Sequence, residues 1–223
     1  MKVEKTNFEG IYLVNGKLAT VNTVPGYRAF EEEIVKVGDV EYRIWSPYTS
    51  KPAAAIVKGL KVFPLREGMK VLYLGLAAGK TATYFSNIIG SKGIIFGVDI
   101  AERVLKDALE VAKKYKNIIP ILADARRPET YERIVFCKVD FVYEDVASED
   151  QVSILIKNCQ KFLREGGHAA IAIKSQSISS TEDPKVVYKR CLNDLEKHFE
   201  VLDKVELDPY EKHHLFVVLQ KKQ

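Results

Sequence analysis

The sequence predicts an α/β fold: a mostly parallel, doubly wound sheet preceded by a small antiparallel β module. Three observations carry this expectation. From Lys70 onward, short apolar runs at 71–74, 94–98, 118–122, 139–143 and 167–173 alternate with stretches of helical periodicity. Such alternation builds parallel strands joined by crossover helices. Residues 1–52 have another texture, that of two β-hairpins, so the chain divides into a module over 1–52 and a larger domain over 53–223. Lastly, acidic residues collect just after the apolar runs, at the strand ends where a doubly wound sheet binds its ligands.

In the N-terminal module, Gly10 to Val14 and Lys17 to Val21 flank Asn15-Gly16, a strong hairpin signal because both turn positions need positive φ. Glu33 to Val37 and Val40 to Trp45 flank Gly38-Asp39 in the same way. Two hairpins are too small to be stable alone, so they are expected to pack on the larger domain. A linker over 46–52 leads to a helix from Ala53 to Leu60. Ala101 to Tyr115 reads as an amphipathic helix with Val104, Leu105, Ala108, Leu109, Ala112 and Tyr115 on its apolar face. Ser148 and Gln151 have capping-box spacing for a helix over 149–163. Asp183-Pro184 is an N-cap and first-turn pair for a helix ending near His198, and closing strands come near 199–206 and 214–219.

The composition excludes several classes. With 47% apolar and 29% charged residues over 223 positions, the chain can bury a proper core. Its 34 basic and 30 acidic residues give a net charge of +4, which permits an RNA partner without demanding one. Cys137, Cys159 and Cys191 are odd in number and far apart, which argues against a disulfide framework and a structural zinc site. The opening MKVEKTNFEG has no apolar core of a signal peptide, and no apolar run approaches the ~18 residues of a membrane span. The expectation is a cytoplasmic protein with no membrane partner and no bound metal.

The stretch KVLYLGLAAGKTATYF, residues 70–85, organises the larger domain. A buried strand ends at Gly75, a turn of small residues comes next, and a helix begins near Thr81. Free N–H groups at such a helix N-terminus point at whatever sits on the turn. The dinucleotide fingerprint G-x-G-x-x-G is absent. Gly79-Lys80-Thr81 looks like the end of a phosphate-binding P-loop, but that motif needs glycine at position 74, which is Leu. The G-x-A-x-G turn instead resembles the S-adenosylmethionine (SAM) loop of class I methyltransferases. The alternative is a tight strand-to-helix connection that binds nothing. Asp99, 24 positions after Gly75, can accept the hydroxyls of an adenosine ribose. Asp124 with Ala125 is placed to meet an adenine edge. Asp145 and Lys174 end the next two strands. Any one acidic strand-end residue is more often a helix cap, but the four together read as a site.

Longer segments carry a more specific resemblance. YRIWSPYTSKPAAAI, KVLYLGLAAGKT, NIIPILADARRP, VDFVYEDVASEDQ, FLREGGHAAIAIKSQSISST and LDPYEKHH occur in order from Tyr42 to His214. Together they resemble fibrillarin, the guide-RNA-dependent RNA 2′-O-methyltransferase family, in its archaeal form. The resemblance implies a catalytic set of Lys51, Asp145, Lys174 and His214. For the last, spacing from Pro209-Tyr210 selects His214 over His213, and strand alternation would send the two in opposite directions. It implies SAM contacts at Gly75, Gly79, Lys80, Thr81, Asp99, Ile100, Asp124, Ala125, Asp145, Val146 and Ala147. It also implies a box C/D guide RNA, target rRNA or tRNA, a Nop-family scaffold protein and a kink-turn-binding, ribosomal-protein-like subunit. The chain departs from the family pattern in places. Lys80 replaces the usual Thr, Asp99 the usual Glu, Ser148-Glu149 the usual Gln-Pro, and His213 the usual Asp. A methyltransferase for small molecules or proteins on the same fold is a competing reading, as is a binding module without turnover.

Overall fold

Asn15 and Gly16 both take positive φ, 50° and 79°, the turn whose twist matches a hairpin. They join β2 (Ile11–Val14) to β3 (Lys17–Val21). The second predicted hairpin is β4 (Ile34–Val37) with β5 (Val40–Ile44). A short strand without a sequence signal, β1 (Val3–Lys5), completes an antiparallel sheet ordered β1-β2-β3-β5-β4. The computed structural model from which these elements are drawn describes residues 2–222.

After the linker come α1 (Lys51–Val57), β6 (Lys70–Leu74), α2 (Lys80–Ile89), β7 (Ile94–Asp99), α3 (Glu102–Ala112), β8 (Ile118–Leu122) and β9 (Val139–Glu144). Next are α4 (Gln151–Phe162), β10 (Leu163–Lys174), α5 (Ser175–Ile178), α6 (Pro184–Leu195), β11 (Phe199–Glu206) and β12 (His214–Lys221). The strands form one sheet of seven, ordered β11-β12-β10-β9-β6-β7-β8. β12 runs antiparallel to both its neighbours, while β10, β9, β6, β7 and β8 pair in parallel. The predicted doubly wound sheet is therefore present. Its topological switch lies between β6 and β9, where strand order reverses and a crevice opens.

Alternation along the strands divides the core in two. Val71, Tyr73, Phe141 and Tyr143 face the side covered by α1, α2, α3 and the N-terminal sheet. Leu72, Leu74, Val142 and Ile171 face the side covered by α4 and α6. The N-terminal sheet shares the first of these cores through Ile11, Leu18 and Trp45. α2 lies between the two sheets, and every residue from Thr81 to Ile89 is buried. Its polar residues are therefore interface groups. Asn87 donates to Thr20 and accepts from Thr23, and Tyr84 donates to the Ile44 carbonyl while stacking on Trp45 at 5.1 Å. Arg43, wholly buried, ion-pairs with Glu32 at 2.7 Å, donates to Thr83 and lies 4.3 Å over the Tyr84 ring. Burial alone would raise the Glu32 carboxyl; the Arg43 charge and the backbone N–H of Phe30 reverse this and hold it below its ordinary value.

Several sequence expectations are corrected. α1 begins at Lys51, two residues before Ala53, because Pro52 is accommodated in its first turn. On α3, Leu109 is exposed and Val111 takes its place in the core. The capping box does not form. Asp150 is the N-cap of α4, and Gln151, its first residue, is buried with its amide turned toward Lys174. His213 is not on a strand; it sits in left-handed backbone at φ 60°, just before β12 begins. Asp183 caps α6 as expected, accepting from the Lys185 N–H.

Glu144, at the end of β9, is fully buried on the α4 face, and neither carboxyl oxygen has a hydrogen-bond partner. Burial, with the neighbouring Asp145 charge, raises its pKa well above the ordinary 4.5, so the folded protein holds it neutral. The unfolded chain releases that proton as pH rises through about 4.5 while the folded chain retains it. Wild-type stability is therefore drained over that range and upward. Glu144→Gln removes the drain. In urea denaturation the variant gains stability relative to wild type as pH rises from about 4.5. A pH-independent difference would show that Glu144 ionises as freely in the fold as in solution.

Candidate active site

The crevice at the switch point is built by four strand ends. After β6 the chain turns at Gly75, whose φ is 84° and whose N–H donates to the Val98 carbonyl on β7 at 2.9 Å. A Cβ at this position would lie 2.5 Å from the Asp145 carbonyl oxygen. Only glycine lets the β6 turn and the end of β9 lie this close. Ala77, also left-handed at φ 50°, donates its N–H to Asp99 at 2.7 Å, and Ala101 donates to the other Asp99 oxygen at 2.8 Å. These two bonds fix the Asp99 carboxylate at the end of β7, in the crevice lining, and leave each oxygen further acceptor capacity. After β8, Asp124 is gripped by Arg126 through Nε at 3.0 Å and Nη2 at 2.8 Å. The Arg126 hydrogen bond holds the Asp124 carboxyl below its usual range.

These ends enclose a cavity of about 340 Å³, within the usual range of small-molecule sites. Gly75, Asp99, Ile100, Asp124, Ala125, Asp145, Val146 and Ala147 line it, so eight of the expected cofactor contacts come together. Ala77, the alanine of the G-x-A-x-G turn, also lines it, as do Arg126, Ser148 and Ile154, which no motif marks as cofactor contacts. Gly79, Lys80 and Thr81 do not. Gly79 is the left-handed N-cap of α2. The Thr81 hydroxyl is buried 2.9 Å from that of Ser50. Lys80 turns away, its ammonium 6.0 Å from the Phe30 ring, on a separate cavity beside the N-terminal module. The lining thus holds three carboxylates and one guanidinium that is already paired. Such a wall repels phosphate and suits a ligand with hydroxyl or amino donors and a positive centre.

Asp145, in this lining, also belongs to a second group of polar residues whose other members lie outside it. Ser50 precedes α1 and spends its hydroxyl on Thr81, which fixes the start of the helix. Lys51, the next residue, donates to Asp145 Oδ2 at 3.0 Å. Both partners are partly exposed, so the pair contributes little stability and its effect is positional. Lys174 ends β10 and lies directly opposite His214, the first residue of β12. His214 is buried, and its Nδ1–H donates to the Lys212 carbonyl at 2.8 Å, which leaves Nε2 as the acceptor in the neutral ring. Burial, assisted by the charge of Lys51, lowers its pKa from 6.5 and keeps the ring neutral near pH 7. The structure therefore brings Lys51, Asp145, Lys174 and His214 to adjoining element ends: the start of α1, the end of β9, the end of β10 and the start of β12.

Comparison with known proteins places this geometry. The family model described as Fibrillarin matches residues 2–223. The fibrillarin-like rRNA/tRNA 2′-O-methyltransferase of Pyrococcus furiosus is 45% identical over 226 residues, covering 99% of each chain. The crystal structure of Aeropyrum pernix fibrillarin with natively bound SAM superposes with a TM-score of 0.91 at 43% identity, covering 98% of each chain. A fibrillarin/Nop5p complex matches with a TM-score of 0.88 at 36% identity, over 97% of this chain and 100% of that one.

The contact between Gly75 and Asp145 can be isolated by comparing two glycines. Gly75→Ala adds a steric clash to left-handed strain, whereas Gly166→Ala, at φ 63° with open space around it, adds strain alone. Chemical denaturation should show Gly75→Ala costing about 1–3 kcal/mol more than Gly166→Ala. Equal losses would mean that the close approach is not a constraint.

Proposed function

The chain belongs to the fibrillarin family, and on that premise we propose that it transfers the methyl group of SAM to ribose 2′-hydroxyls of rRNA and tRNA. In this reading it is the catalytic subunit of a box C/D ribonucleoprotein, in which a guide RNA selects the target. The observation that carries the reading is the acid-lined cavity opening onto the Lys51–Asp145 pair, beside the ends of the strands that bear Lys174 and His214. The residues fit the cofactor. Asp99 offers acceptor lone pairs to a ribose diol, Asp124 and Ala125 flank the place for an adenine, and Asp145 supplies negative charge for a sulfonium. Bound there, SAM supplies an already activated methyl.

The protein's own contribution is then positioning and proton handling. Holding the acceptor oxygen in line is worth up to ~7–11 kcal/mol, and a general base typically contributes ~10²–10⁴-fold. Lys51 keeps one Asp145 oxygen engaged and so orients the carboxylate. Lys174 is assigned to the acceptor hydroxyl, where an amine takes the proton or an ammonium stabilises the forming alkoxide. Neutral His214, within reach of the Lys51 and Asp145 charges, keeps Nε2 as a further acceptor.

A net charge of +4 over 223 residues is a modest electrostatic hold on RNA. Base pairing with a guide supplies target choice without base readout by the protein. The fibrillarin/Nop5p complex supports a Nop-family scaffold as the docking partner, and the family resemblance supports a kink-turn-binding subunit beside it. The test is methylation of a target oligonucleotide by the protein alone, then with guide RNA and both partner proteins. Efficient, site-specific transfer is expected only in the full mixture, and equal transfer by the protein alone would overturn the reading.

A further inference from the structure

We propose that Gln151 is a positioning residue for Lys174: its buried amide replaces the missing strand beside the end of β10 and sets where the lysine side chain departs. The proposal rests on the assignment of Lys174 to methyl transfer. β9 and β10 pair in parallel only as far as Glu144, which lies opposite Ile171. Lys174 is three residues further on, where β9 has already left the sheet. On its other flank the ladder to β12 continues, with Lys174 opposite His214. The open flank exposes one N–H and one C=O of the Lys174 backbone, which in a buried sheet must find partners.

Gln151 supplies both. The Lys174 N–H donates to Gln151 Oε1 at 3.0 Å, and Gln151 Nε2 donates to the Lys174 carbonyl at 3.4 Å. The same Nε2 donates to the Ser148 carbonyl at 2.9 Å. Ser148 lies in the loop that continues from Asp145 and lines the cavity. One fully buried side chain therefore ties the Lys174 backbone to the loop after Asp145. A capping box would have sent this amide to the Ser148 N–H, within its own helix. Instead it crosses to the neighbouring strand, an arrangement that helix stability alone does not require. The chemistry is specific to an amide. Leucine keeps the volume and loses the bonds. An ionised glutamate keeps the acceptor for the Lys174 N–H but turns an oxygen against two carbonyls.

The test measures methyl transfer in the assembled particle at saturating SAM and target, with thermal unfolding alongside, for Gln151→Leu, Gln151→Glu, Lys174→Ala and the two double variants. Near neutral pH, both Gln151 variants should lose about tenfold or more in kcat, since misplacement by about 1 Å can cost 10²-fold. Their KM for SAM should change by less than about threefold, separating the effect from cofactor binding. Gln151→Glu should recover as pH falls, because the protonated carboxyl regains a donor, whereas Gln151→Leu should not. Neither double variant should be slower than Lys174→Ala alone. A wild-type kcat in Gln151→Leu, or a further multiplicative loss in a double variant, would overturn the proposal. If Gln151→Leu fails to fold, the pH profile and double variant of Gln151→Glu decide by the same criteria. A wild-type rate in Lys174→Ala would remove the reading of Lys174 itself, and the role of Gln151 with it.

Discussion

The crevice depends on one steric constraint, the close approach of the Gly75 backbone to the carbonyl of Asp145. With no room for a Cβ between them, the turn after β6 and the end of β9 lie side by side. The turn can then point the Ala77 N–H at Asp99, which is how the carboxylate at the end of β7 is held facing the cavity. On the other side, the Asp145 side chain leaves β9 toward Lys51. A single missing methyl thus couples the cofactor half of the site to the half assigned to chemistry. Gly75, Ala77 and Gly79 are all left-handed within five residues, a conformation free for the two glycines and strained only at Ala77.

The N-terminal sheet matters to the site for a related reason. Lys51 is contributed by the first turn of a helix that comes only a short linker after β5, so its place depends on how β5 is held. Trp45 stacked on Tyr84, the buried Arg43–Glu32 pair on Thr83 and Tyr84, and the Asn87 bonds to Thr20 and Thr23 lock β3 and β5 onto α2. Breaking a buried ion pair by removing one partner typically costs ~3–5 kcal/mol, so this seam is expensive to open. α2 begins at the same turn that forms the cavity. The small sheet is thereby joined to the site through one helix.

Much of this was legible in the residues. Hydrophobic runs and turn signals placed every strand of the large sheet and both hairpins, because burial on two faces and positive φ leave plain marks. The ends of those strands then placed Asp99, Asp124 and Asp145 around one crevice. What was not legible depended on neighbours distant in sequence. Thr83 and Asn87 are polar positions of α2, yet they are buried because a second sheet covers the helix. Leu109 fits the apolar period of α3, but the orientation of the helix on β8 exposes it and buries Val111. Lys80 comes directly after a ligand-binding turn in sequence, while the left-handed Gly79 and the aromatic Phe30 carry its side chain to the far side. Gln151 has capping-box spacing and a different partner, since the gap left by β9 is a property of the sheet and not of the helix. His213 and His214 were separable in sequence only by spacing; in the fold, left-handed backbone removes His213 from the strand.

In this molecule the cavity is proposed to deliver a methyl group to a ribose oxygen beside Lys174 and Asp145. That delivery is tested most directly by supplying the assembled particle with SAM carrying an isotopically labelled methyl, digesting the RNA and locating the label by mass spectrometry. One label is predicted, on the 2′-oxygen of the nucleotide selected by the guide. Label on a base, or on the protein instead of the RNA, would contradict it.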